Sequence, residues 1–553
     1  MADFGTSRLS AELKQLAAKN PHLDSHLSLF KERTNEYPSL VAEPTKEYKS
    51  RRPNICYQLT DDLFCHIYGD VGIDTKYYVV EPTLHDHEWP LYESVRQRVL
   101  DLSATRPAPA GTDAFRDHLD SLLDEAVRVT ETQGPADRLR GSLFGSFTVS
   151  AAEYRRLRYI LQRDIVGLGP LNPVMQDPAN EDIHVIGPHG CYVDHGLYGM
   201  LETSVDFGSP DQFENWIRNM GERMNNPISD AHPIIDSTLP DGSRINIIYS
   251  DDVSIKGPSL TIRQGKEVPL SIFQLIDWGT LTPELGAYLW LCMENEKSVF
   301  VVGETASGKT TTLNAMLSFI PRDSKIYSAE DTAEVMPPHM TWQQLLTRDD
   351  HGGGTGVDLF DLVAAALRSR PDYIIVGEVR GKEAQMAFQA AQTGHPVILT
   401  FHASDIVSMI QRFTSNPINI PETFMDNCDV ALFQNRVKSG DKILRRVTSV
   451  QEIEGYSEYE GGVVTREAFN WDPIEDEISF QGRNNSYVLE EQIAPLLGYR
   501  DSRDIYDELD RRAEVIRRLI ADGILEYHAG NEAIESFQRD GVEGLSIDIA
   551  GLT

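Results

Sequence analysis

Cations are what this sequence has least of. Its 553 residues hold 14 lysines and 37 arginines against 85 acidic residues, a formal net charge of −34. The deficit runs along the whole chain instead of collecting in an acidic tail. That pattern is expected of a protein kept soluble in concentrated salt, where screening shortens to a few Å and self-repulsion becomes tolerable. A halophilic source is therefore the expectation, and an ordinary acidic protein the plainer alternative. The charge argues against bulk binding to nucleic acid or to an anionic membrane, although halophilic proteins of every function share it. Cysteine is sparse as well. Cys56, Cys65, Cys191, Cys292 and Cys428 stand at irregular spacings with no CxxC pair, which excludes a disulfide framework and a tetracysteine zinc site and leaves buried thiols of a cytosolic protein. No basic segment followed by an apolar one opens the sequence, and no apolar run approaches the ~18 residues of a membrane span. The chain is expected to be neither secreted nor membrane-spanning. Internal repeats are absent too. What is there is ordinary: 41% hydrophobic, 8% aromatic and 25% charged residues, in a chain several times the usual ~150-residue domain, so several globular domains are expected.

Punctuation along the chain divides it. Residues 1–110 read as an N-terminal α/β and helical region, with strands near Phe64–Tyr68 and Tyr77–Val80. Residues 111–149 read as a linker and helix after the Pro/Ala-rich stretch that begins at Thr105. Ser150 and Glu153 form a capping-box pattern that opens an α/β domain over 150–264, with strands at Ile183–Ile186, Cys191–Val193 and Arg244–Tyr249. Residues 265–272 read as a hinge. From 273 to 553 apolar strands alternate with helices, as a parallel doubly wound sheet requires, and a charged helical extension follows. A mobile loop is expected at His351–Gly356, four of whose six residues are glycine.

The chemistry is concentrated in the last of these regions. The apolar strand Val299–Val302 runs into Gly303-Glu304-Thr305-Ala306-Ser307-Gly308-Lys309-Thr310, and Thr311 leads on into a helix. This is a GxxxxGK[ST] phosphate loop in its required strand–loop–helix context. Its glycines let backbone amides turn toward one anion; Lys309 can reach the β- and γ-phosphates of ATP, and the Thr310 hydroxyl can ligand Mg²⁺. A second apolar strand, Tyr373–Val376, ends in Gly377-Glu378-Val379-Arg380. Glu378 at that carboxyl end is expected to face Mg²⁺ as an outer-shell partner. Ile326–Glu330 is a third such strand, followed by Asp331 and Glu334, and it can supply a base that orients water. A solvated acidic turn would look the same. His395 and His402 bracket the apolar Val397–Leu399 and are candidate γ-phosphate sensors.

Taken in order, the phosphate loop, the EDTAE box, PDYIIVGEVRG and TGHPVILTFHA resemble the secretion ATPases of the type II/type IV pilus superfamily, and within it the archaellum (archaeal flagellum) assembly and motor ATPases of archaea. The resemblance extends over roughly 150–530, through Gly167-Leu168-Gly169-Pro170, Glu181-Asp182-Ile183-His184 and Asp241-Gly242-Ser243-Arg244. It implies an α/β, multidomain chain with a RecA-like C-terminal ATPase domain preceded by smaller α/β N-terminal domains, assembled as a homohexameric ring with the active site in the cleft between domains. It implies ATP and Mg²⁺, Glu330 as general base, Glu378 in the second acidic motif, and His395 and His402 in a histidine box. Arg244 and Arg263 match arginines of the N-terminal domain that close onto the γ-phosphate, although an arginine on a strand is more often a surface ion pair. The implied partners are further copies of the chain, a polytopic membrane platform protein and accessory cytoplasmic motor proteins; the implied place is the cytoplasm, recruited peripherally to the inner face of the membrane. No nucleic-acid partner is expected. Unlike many bacterial relatives, the chain has no tetracysteine zinc module.

Three other readings stay open. A pilus assembly or secretion ATPase of the same superfamily would share every motif. A nucleic-acid translocase would use the same core but line its pore with basic or aromatic residues, whereas this chain offers only scattered basic pairs such as Arg51-Arg52, Arg445-Arg446, Arg511-Arg512 and Arg517-Arg518. A non-hydrolysing nucleotide switch would lack the acidic base.

Overall fold

The computed structural model describes residues 8–130 and 147–545, apart from positions 108, 110, 225, 251, 266–267, 349–355 and 440–441. The expected glycine loop at 351–356 thus lies, but for its last residue, outside the described residues, as does part of the expected hinge. Two compact units make up the chain, Met1–Gly265 and Lys266–Thr553.

In the first unit the strands are short, and several alternate buried with more exposed residues. These are β1 (Ser39–Leu40), β2 (Asn54–Thr60), β3 (Leu63–Tyr68), β4 (Lys76–Val80), β5 (Val127–Val129), β6 (Phe147–Val149), β7 (Asn180–Ile186), β8 (Cys191–His195), β9 (Gly199–Thr203), β10 (Ile234–Thr238), β11 (Arg244–Ile248) and β12 (Ser259–Arg263). All but β5 and β6 form one ten-stranded sheet, in the order β1-β2-β3-β4-β9-β8-β7-β12-β11-β10. Ile183, Val185, Ile245, Ile247 and Ile262 point to one face, and the helix Pro210–Arg223 lays Phe213, Ile217 and Met220 into the same core. The capping box at Ser150 forms as its spacing predicts, with reciprocal bonds to Glu153.

The regions 1–110 and 150–264 therefore share a sheet. Their junction is short: β4 pairs with β9 in parallel at Lys76↔Glu202 and Tyr77↔Thr203. A buried polar cluster reinforces it. The hydroxyls of Tyr57 and Tyr77 donate to Asp177 Oδ2 at 2.6 and 2.7 Å, and the Ala179 amide donates to Oδ1 at 2.9 Å. Segment 111–149 does more than link: its helix Thr112–Ala126 packs Leu119 and Leu123 with Val95, Val99, Leu157 and Leu161 in a separate helical core.

The second unit carries β13 (Val299–Val302), β14 (Ile326–Glu330), β15 (Trp342–Leu346), β16 (Tyr373–Val379), β17 (Val397–Phe401), β18 (Val430–Ser439), β19 (Lys442–Ser457), β20 (Gly462–Asp472) and β21 (Glu477–Phe480). Their order is β15-β14-β16-β17-β13-β18-β19-β20-β21. Every pairing from β15 to β18 is parallel, and the rest is an antiparallel meander. Such a parallel sheet buries both faces, and all four residues of β13 and all five of β17 are buried. This is the α/β, RecA-like phosphate-loop architecture that the motifs imply. In the C-terminal extension, helix Ile505–Ala521 keeps its arginines paired: Arg512 with Glu508 and Glu294, Arg517 and Arg518 with Glu514. No helix among the described residues is long and apolar enough to cross a membrane.

Candidate nucleotide site

Parallel strands deliver their carboxyl ends to one edge of the sheet, where α/β proteins bind ligands. Val302 pairs with Phe401 on β17 and with Phe433 on β18, so the phosphate loop, His402 and Gln434 start at the same level. Glycine is required twice. A Cβ on Gly303 would lie 2.1 Å from the Gln434 carbonyl oxygen, and Gly308 sits at φ 96° at the start of helix Lys309–Met316. The loop then continues into that helix with Thr310 and Thr311, its amino terminus aimed at the cradle.

Lys309 is nearly buried, and its ammonium donates to the Glu304 carbonyl at 3.0 Å and to His402 Nδ1 at 3.4 Å. His402 Nε2 meets Glu378 Oε1 at 2.6 Å, and the other oxygen of Glu378 is held by Arg380. These contacts fix the tautomer: Nε2 carries the proton and Nδ1 accepts. Burial lowers the Lys309 pKa, with Glu378 and Glu334 pulling it back up. Burial works to raise the Glu378 carboxyl, but Arg380, His402 and Lys309 outweigh it and leave it below its ordinary value. For His402, burial and then Lys309 push the imidazole below its ordinary 6.5.

A neutral His402 is thus the form that accepts from Lys309. On acidification below 6.5 it gains a proton, loses that acceptor and places two cations side by side. If the row Lys309–His402–Glu378 supports catalysis, the rate should fall on the acid side of that value, and the limb should be missing from His402→Gln, whose own rate should be about tenfold lower. An acid limb that survives unchanged in His402→Gln would remove His402 from the row.

His395 precedes β17 while His402 follows it, so a buried five-residue strand, about 17 Å long at 3.3 Å per residue, separates them. His395 lies at the amino edge of the sheet beside Thr393 Oγ1, 3.2 Å away, and is no part of this chain's phosphate site. Glu330 does reach the right edge but turns inward. It is almost fully buried; Oε2 accepts from the amides of Glu334 and Val335, both at 2.7 Å, and Oε1 accepts from Gln344 Nε2 at 3.1 Å. A carboxylate so engaged shapes the turn that follows it, and both of its oxygens are already held by protein donors.

That turn carries the residue the motif reading passed over. Glu334 is exposed, and its charge acts on Lys309. Asn314, on the phosphate-loop helix, clamps its backbone: the carboxamide donates to the Glu334 carbonyl at 2.7 Å and accepts from the Met336 amide at 2.8 Å. The signal was available, since the EDTAE box offers a second glutamate four residues on. Arg244 and Arg263 belong to the first unit, where they are cross-strand partners on β11 and β12 and pair with Asp236 and Asp182 respectively.

The residues fit a bound nucleotide. Ser307 Oγ, Thr312 Oγ1 and Gln434 Oε1 are buried around the loop without a hydrogen-bond partner among the described residues, the pattern of a cradle completed by a polar ligand. They also fit Mg²⁺, because a hydroxyl at Thr310 and a carboxylate at Glu378 make an all-oxygen donor set.

Comparison with known proteins agrees. The sequence profile of the family described as Type II/IV secretion system protein matches residues 205–421. An uncharacterized protein of Methanocaldococcus jannaschii, MJ0900, is 49% identical over 98% of this chain and 99% of its own length. The type IV secretion system protein VirB11 of Bartonella quintana is 25% identical over 45% of this chain and 79% of its own. The crystal structure of the Legionella pneumophila ATPase DotB is similar at 17% identity, covering 62% of this chain and 86% of that one with a TM-score of 0.38. The chain belongs to the type II/IV secretion system protein family.

Proposed function

We propose that the chain hydrolyses ATP and couples hydrolysis to movement in an archaeal type IV filament system, specifically the assembly and rotation of an archaellum. The observation that carries the ATPase reading is the row Lys309–His402–Glu378 set beside an exposed Glu334 on a clamped turn. Lys309 and the loop amides bind the polyphosphate; Glu334 orients the attacking water and takes its proton; Glu378 and His402 hold Lys309 and each other in place. Phosphoryl transfer asks a protein mainly to position groups and stabilise charge. Thr310 and Glu378 would hold Mg²⁺, which neutralises phosphate charge when bound. The archaellum reading rests on the ordered motifs and on a full-length archaeal relative. As a motor the chain acts as a ring of copies, a hexamer, in the cytoplasm, and it works on a polytopic membrane platform protein with accessory motor proteins.

The test is steady-state ATPase activity in multi-molar KCl with light scattering. Turnover per chain should rise with protein concentration as a nucleotide-dependent oligomer forms; a folded monomer with concentration-independent turnover would end the ring reading. Deletion in the native host should abolish swimming. Loss of surface attachment with swimming intact would identify a pilus system instead.

A further inference from the structure

The antiparallel pair β18–β19 continues past the carboxyl edge of the parallel sheet, over the phosphate loop. Gln434 marks the crossing point. It is buried, it follows a register shift between Phe433 and Gln434, and a Cβ on Gly308 would lie 2.9 Å from its Nε2. Bulges of this kind re-aim side chains beside functional sites. Beyond it the register is Gln434↔Val447, Arg436↔Arg445 and Lys438↔Ile443. Residues two apart and directly opposite share a face, so Arg436, Lys438 and Arg445 lie on the face that Gln434 presses against the loop. Arg445 confirms the direction, since its Nε donates to the Ala306 carbonyl at 3.3 Å.

These three cations are out of character with the rest of the chain. All are exposed, and none has a carboxylate partner among the described residues. Arg446, whose side chain points to the other face, is held by both oxygens of Asp476. In a protein of net charge −34 acidic partners abound, yet Arg436 and Arg445 stand directly opposite each other, an arrangement that costs stability. Such a pair is explained by an anion that lies between or beside them. The nearest anion-binding structure is the phosphate loop that Arg445 already touches.

We propose that Arg436 and Arg445 bind the polyphosphate of the nucleotide, forming a second cationic arm of the site on the β18 side of the loop, opposite Glu378 and His402. The inference rests on the nucleotide-site reading above and adds to it two residues from the same chain. Guanidinium groups make short, charge-assisted bonds to phosphate oxygens, and contact bonds of that kind survive multi-molar salt, whereas longer-range attraction does not.

The experiment measures ATP and ADP binding by calorimetry in 2 M KCl for the wild type, Arg436→Gln, Arg445→Gln and Lys438→Gln, with Lys309→Ala as the binding-deficient control, alongside thermal melts with and without ATP. Arg436→Gln and Arg445→Gln should each weaken ATP about tenfold and shrink the ATP-induced rise in melting temperature, while the ligand-free melt stays equal or moves up because the like-charge pair is relieved. Lys438→Gln should bind as the wild type does, and Arg445→Lys should recover part of the loss. If the wild type binds ATP, Lys309→Ala does not, and both arginine variants match the wild type, the inference is overturned and the nucleotide reading stands. Variants that melt lower without ligand yet keep ATP affinity would overturn it equally, by making the pair structural. A wild type that binds no ATP would remove both.

Discussion

Glu334→Gln should lower kcat by about 10²–10⁴-fold, the usual contribution of a positioned general base, while ATP binding changes little. Glu330→Gln should not. The two substitutions are chemically identical and four residues apart, so the contrast isolates position. At Glu334 the carboxylate is exposed, on a turn whose backbone is clamped by Asn314 and whose charge reaches Lys309. At Glu330 the carboxylate is a structural acceptor. Burial raises its pKa above the ordinary 4.5, against the pull of the amides of Glu334 and Val335 and of Gln344. A raised pKa means that folding favours the protonated form. The stability this contributes is full below 4.5 and is lost as pH rises through the raised value. A neutral glutamine avoids that loss and keeps one oxygen for the two amides, giving up only the acceptor for Gln344. The melting temperature of Glu330→Gln should therefore stay level or rise, with kcat within about tenfold of wild type. Parallel melts and ATPase assays decide the matter: normal turnover in Glu334→Gln, or a dead but equally stable Glu330→Gln, would return the base to Glu330.

What the sequence made legible follows from how local each feature is. The phosphate loop was readable because strand, glycines, lysine and helix are consecutive, and the structure needs glycine at Gly303 and Gly308 for reasons of contact and φ. Glu378 was readable because an apolar run ends beside it. Within EDTAE the choice among three carboxylates was not, since it depends on which one the strand end turns inward, and that is settled by Gln344 on the neighbouring β15. The histidine pair misled because two residues that bracket a strand are neighbours in the motif and opposites in space. Arg436 and Arg445 could be paired only once the hairpin register was known. The least legible feature was the first sheet, whose halves meet through residues more than a hundred positions apart.

That junction carries the second large expected effect, which falls on the fold and leaves the phosphate site alone. Asp177→Ala should destabilise the first unit by about 3–5 kcal/mol, the usual consequence of removing one partner from a buried charged network. The carboxylate is fully buried, between strands brought together by two register positions. Its removal strands the buried hydroxyls of Tyr57 and Tyr77 and takes the acceptor from the half-buried Ala179 amide. The network runs one step further. His195 Nδ1 accepts from the Leu197 amide, so Nε2 carries the proton and donates toward the Tyr57 hydroxyl at 3.3 Å, which in turn donates to Asp177. Burial lowers the His195 pKa and keeps that donor neutral. Asp177→Asn retains one acceptor oxygen but sets an NH₂ against either the two hydroxyls or the Ala179 amide, so it should fall between wild type and alanine. The Tyr57→Phe, Tyr77→Phe pair should recover part of the alanine loss when combined with Asp177→Ala, because apolar rings leave no stranded donors. Urea unfolding at constant KCl measures all of these. An Asp177→Ala midpoint equal to wild type would mean that the hydrophobic contacts of Ile55, Ile67, Tyr77, Val193 and Leu201 hold the halves together by themselves.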